Sequence, residues 1–116
     1  MGLAQLRDLG APELLEDAAS ILKERGQAIG VTCDFSSGSV DALGAICLAA
    51  GAKAKNLTDE PTRSGIPKQR VGIALACIEM LEFEYGNIAA WSDRVSTKEI
   101  TAGFRRLRDQ ILIAVT

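Results

Sequence analysis

A mainly α-helical fold is what this sequence predicts, on three observations. Apolar residues recur at intervals of three and four over much of the chain, the spacing of one helix face. Glycines, prolines and a capping serine punctuate those runs at their ends. Aromatic residues are only 4% of a chain that is 47% hydrophobic, so the core has to be built from Ala, Leu, Ile and Val, which suit close helix packing. The expected architecture is a compact bundle of about four helices with a short extended segment near residues 27–35. All of it falls in a single helical domain, 1–116.

Leu3 to Leu9 predicts a turn or two of helix closed by Gly10, with residues 1–10 expected to be loosely ordered. A stronger helix follows. Pro12 suits its first turn, Glu13, Glu16 and Asp17 favour its positive end, and Lys23 and Arg25 its negative end. Leu15, Ala18 and Leu22 share a face, and Gly26 supplies the stop. From Gln27 to Phe35 the pattern changes to the rough alternation of a short strand, and Ser36-Ser37-Gly38-Ser39 is a turn.

Ser39 is then the expected cap of a helix from Val40 to about Ala50, ended by Gly51. Ala52 to Ile66 is polar and the longest irregular stretch, the kind of loop in which function often resides. Pro67 opens a helix to about Tyr85, stopped by Gly86. Its residues Val71 to Leu81 leave so little polar surface that it is expected to be the central helix, surrounded by the others. Ile88 to Arg94 reads as a connector. Ser96-Thr97-Lys98-Glu99 matches a capping box, and Ile100, Phe104, Leu107, Ile111 and Ala114 follow on one face of a last helix.

Composition excludes much chemistry. There is no histidine, which removes Ser–His–Asp and Cys–His catalysis, a histidine base and histidine-ligated metals. Glu79-Met80-Leu81-Glu82 lacks the histidine of a di-iron helical site. Cys33, Cys47 and Cys77 form no Cys-x-x-Cys pair and make a poor disulfide framework. Gly44 to Lys53 has the wrong glycine spacing for a phosphate loop and lies within a predicted helix. No catalytic residue, metal ligand or cofactor is therefore expected. With no long apolar stretch, no signal-like start and Leu6 in place of the hydroxyl residue a Gly2 myristoylation motif needs, the expectation is a cytoplasmic protein without membrane attachment.

The net charge is −2, which gives no general attraction to nucleic acid, but the charge is uneven. Lys53, Lys55, Arg63, Lys68 and Arg70 make the loop and the following helix start locally basic, opposed by Asp59 and Glu60. These five are the candidate phosphate contacts of a nucleic-acid-binding module, with Arg105, Arg106 and Arg108 farther along. Glu79, Glu82 and Glu84 are the candidates for a carboxylate-based enzyme or metal site, against the plain alternative of a solvated helix side. Cys33 is expected to be the most accessible thiol, though the neighbouring Asp34 argues against a reactive one. Trp91, Asp93 and Arg94 have the composition of an interface anchor, and Trp91 equally suits a packing role ahead of a helix.

Taken together, Leu14–Gly26, the run Leu43-Gly44-Ala45-Ile46 through Ala50-Gly51, and Ile88-Ala89-Ala90-Trp91-Ser92-Asp93 followed by Thr97-Lys98-Glu99-Ile100 resemble a functionally uncharacterised family. Its members are small proteins frequent in actinobacteria and their bacteriophages. The resemblance covers most of the chain after residue 12, and Ser92 stands where the family pattern has asparagine. It implies a compact helical fold and a bacterial or phage origin, and it transfers no catalytic residue. The leading expectation is thus a small non-catalytic interaction protein, a phage- or host-encoded modulator of a protein partner. Nucleic-acid binding is the first alternative, a carboxylate-based enzyme or metal site the weaker one, and assembly with further copies of itself is left open.

Overall fold

The computed structural model describes residues 1–115. Six α-helices follow one another: α1 (Leu3–Asp8), α2 (Ala11–Arg25), α3 (Ala42–Ala49), α4 (Lys68–Tyr85), α5 (Ile88–Arg94) and α6 (Thr97–Leu112). This is two more than the four expected, because α1 and α5 are too short to display a periodicity. Each is secured by other means. Leu6 of α1 is 1% exposed, and α1 packs against α2 and α6. Asn87 caps α5, its side chain accepting a hydrogen bond from the Ala90 N–H.

The helix at the centre is α2 and not α4. Its residues Leu14, Leu15, Ala18, Ala19 and Leu22 are fully buried, forming a stripe wide enough to meet α3 on one side and α6 on the other. An ion cluster closes the α2–α6 seam, with the Glu16 carboxylate accepting from Arg105 and Arg108. Arg105 beside it is the main reason the Glu16 carboxyl lies below its ordinary value. Helix α4 lies at the periphery. It buries Ile73, Ala74, Cys77, Ile78 and Leu81, while Val71, Leu75, Ala76 and Met80 are only half-buried and Phe83 is 94% exposed. Uniformly apolar composition conceals which face is covered, and here only one is.

The extended segment expected at 27–35 is not a strand, and no strand occurs among the described residues. Two isolated bridges, Gln27 with Val40 and Cys33 with Val40, share one partner residue, too short a pairing for a sheet. The cap of α3 is Asp41, whose Oδ1 accepts from the Gly44 N–H at 2.8 Å, so that helix starts two residues later than its Ser39-capped reading. The stops at Gly26 and Gly86 are as read, with φ of 85° and 84° that side-chain-bearing residues rarely adopt. In the long loop, Ala54–Asn56 and Pro61–Arg63 form single 3₁₀ turns, and the fully buried Ser64 hydroxyl ties Thr58 to Glu60. Among the described residues no helix is long and apolar enough to cross a membrane.

Candidate functional site

Trp91 is 5% exposed, which removes it as a solvent-facing anchor. The turn between α4 and α5 returns the chain so that its indole stacks on Tyr85, with ring centroids 4.3 Å apart, and meets Phe104 edge-on at 6.5 Å. Both geometries are favoured by aromatic quadrupoles. Gly103 of α6 completes the slot, since a Cβ there would stand 2.9 Å from the indole.

The next two residues hold the 26–41 loop in place. The Ser92 hydroxyl, fully buried, accepts from the Ala42 N–H at 3.0 Å, meeting one of the unpaired donors at the start of α3. The Gln27 side-chain amide donates to the Ser92 and Val95 carbonyls, and its oxygen accepts from the Thr97 hydroxyl. Asp93, exposed, accepts from the Gly30 N–H at 2.9 Å. Arg94 is exposed at the end of α5. Of the three residues proposed as an anchor, then, Trp91 and Asp93 bind their own chain and Arg94 alone faces outward without a described contact.

Asp41 was missed by the sequence reading. It is 3% exposed, and burial, tempered by the Gly44 hydrogen bond and reinforced by nearby Asp93, pushes its carboxyl up to about 6. With Asp59, Asp93 and the backbone around Gly30 it borders a cleft of about 220 Å³. An aspartate two residues after Ser39 was a legible capping signal, but its burial depended on a segment fifty residues away. Among the described residues no group of three or more His, Cys, Asp or Glu side chains could hold a metal ion. That applies equally to Glu79, Glu82 and Glu84. Glu82 instead accepts from the Ile88 N–H at 2.9 Å, while Glu79 and Glu84 are exposed.

The five basic candidates fall on consecutive short elements, Lys53 and Lys55 at the first 3₁₀ turn, Arg63 at the second, Lys68 and Arg70 in the first turn of α4. Arg63 pairs with Glu60 at 3.0 Å. The Arg70 Nε is buried and has no hydrogen-bond partner among the described residues. Cys33, expected to be the accessible thiol, is buried, as are Cys47 and Cys77. Burial raises all three, Cys47 to about 11 and Cys77 to about 12.

A further concavity was not foreseen at all. A groove of about 290 Å³ runs between the last turns of α4 and the middle of α6, floored by Leu81, Gly103 and Leu107 and walled by Met80, Tyr85 and Gln110. Arg106 crosses one side, donating to the Tyr85 hydroxyl, and the exposed Phe83 forms a lip. The sequence carried one sign of it. Phe83 sits in a helix otherwise turning polar, between Glu82 and Glu84.

These features define a small helical domain in which the buried polar groups secure the fold and Phe83 stands exposed where α4 borders α6. The chain belongs to the family of unknown function DUF6197, whose sequence model matches residues 7–110. No curated protein and no solved structure matches it significantly.

Proposed function

We propose that this protein is a non-catalytic interaction domain that docks on another protein, in the cytoplasm of a bacterium or of a cell infected by a phage that encodes it. The observation that carries this reading is the full exposure of Phe83 at the lip of the α4–α6 groove. A lone exposed leucine would mean little, but a phenylalanine 94% exposed beside an open apolar groove is the arrangement of a protein-binding patch. Arg106 and Glu84 at the rim supply polar groups that would orient a partner's apolar side chain in the groove. The absence of histidine and the burial of every cysteine support a binding role over a catalytic one. The Trp-Ser-Asp turn and its resemblance to actinobacterial and phage proteins support the origin.

The test is affinity capture from the native cell with nuclease-treated lysate, using wild-type protein and the Phe83→Asp variant as baits. A protein retained by the wild type and lost with Phe83→Asp is the expected result. Equal retention by both baits, or retention of nucleic acid alone before nuclease treatment, would overturn it.

A further inference from the structure

The outward side of α4 has a charge pattern that its own helix disfavours. Lys68 stands in the first turn, where the helix dipole is positive, and Glu79 lies toward the opposite, negative end. Between the two, Gly72 and Leu75 follow Lys68 at helical spacing on the side away from the core. Gly72 and Glu79 are exposed and Leu75 is half-buried. The Met1 methyl group lies beside Gly72 and extends the apolar strip. Among the described residues neither Lys68 nor Glu79 has an ion-pair partner.

We infer that this face is covered by a second copy of the chain, α4 against α4 in antiparallel register about a two-fold axis. A two-fold interface must be complementary to itself, and a helix basic at one end and acidic at the other meets that condition only when its partner runs the opposite way. Lys68 and Glu79 are separated by about 16 Å along the axis at 1.5 Å per residue. A two-fold axis midway between them sets each lysine against the glutamate of the other copy, twice per dimer. The same register places Gly72 opposite Leu75 of the other copy, so apolar groups lie between the two ion pairs. The reversed dipoles of the paired helices then offset the charges that each helix alone carries at the wrong ends. This assembly deepens the interaction reading by naming one occupant of the α4 surface.

Analytical ultracentrifugation of the full chain, from micromolar concentration to about 1 mM, tests this. The expected result is a reversible monomer–dimer equilibrium that weakens with added salt. Lys68→Glu and Glu79→Lys should each raise the dimer Kd by about tenfold, since each breaks two pairs and creates two repulsions. The double variant should return to within about threefold of the wild type, a recovery that a merely structural role for either residue would not produce. A wild type monomeric throughout, or a dimer indifferent to both charge reversals, would overturn the inference. If the monomeric wild type still captured a cellular protein that Phe83→Asp did not, the dimer alone would fall and the interaction reading would stand. Salt-sensitive retention of nucleic acid by a monomer would overturn both.

Discussion

Tyr85 at the end of α4 and Trp91 in α5 stack with their ring planes 5° from parallel. Five residues separate them in sequence, and the reversal at Gly86 and Asn87 is what brings the rings together. Through Trp91 and Phe104 the same stack reaches α6, so one aromatic column joins three helices in a chain with few other aromatics. The sole tryptophan is accordingly a keystone of the fold.

Trp91→Ala should therefore cost stability, by about 3–5 kcal/mol as for other buried aromatics truncated to alanine. Gly103→Ala should cost about 1–3 kcal/mol by driving a methyl group into the indole. Urea unfolding followed by far-ultraviolet circular dichroism measures both. A Trp91→Ala protein as stable as the wild type would refute the assignment.

Ser92→Ala should leave the buried Ala42 N–H without an acceptor, at a cost of about 1–3 kcal/mol. The loss should also appear locally, as faster hydrogen exchange at the start of α3. Unchanged exchange there would mean that the Ser92 hydroxyl does not hold the helix start.

Asp41 makes stability depend on pH in a direction unusual for a carboxylate. Its folded pKa, about 6, lies above the ordinary aspartate value of 3.8, so between those values the folded state holds the proton and the unfolded state has lost it. The contribution is complete below about pH 4 and is lost as pH rises through 6, reaching about 3 kcal/mol at 1.36 kcal/mol per unit. Glu16, held low chiefly by Arg105, contributes with the opposite sign at lower pH. The difference between wild type and Asp41→Asn isolates the first effect, because asparagine caps a helix nearly as well as aspartate. Urea midpoints at pH 4.5 and 7.5 should show the variant gaining on the wild type as pH rises. Parallel profiles would rule the buried carboxyl out as the cause.

The thiols should be inert in the native state. At pH 8 a disulfide reagent should label Cys33, Cys47 and Cys77 only at the rate of unfolding, and all three promptly in denaturant. Rapid labelling of one thiol in the folded protein would show that Cys33 reaches solvent.

Helices α2, α4 and α6 were readable because their evidence is local. Caps, stops and a three-to-four spacing lie within a few residues of the element they define, and Ser96 does accept from the Glu99 N–H as its motif implies. The short α5 left no such trace beyond Asn87, and the alternation at 27–35 looked like a strand because nothing local shows that its partner is a single residue. The site was less legible still. The groove takes one wall from each of two helices, and the sequence showed only an unexplained Phe83.

By itself the sequence determined that the chain is mainly helical, where its longer helices begin and end, and that histidine-based chemistry is excluded. Only the tertiary structure decided that α2 and not α4 is enclosed, that Trp91 and Asp41 are buried, and that Phe83 is left exposed on α4. Burial is set by contacts between distant segments, such as Ser92 with Ala42 and Arg105 with Glu16. Periodicity can say that a helix has an apolar face, but which neighbours cover that face is settled when the whole chain packs.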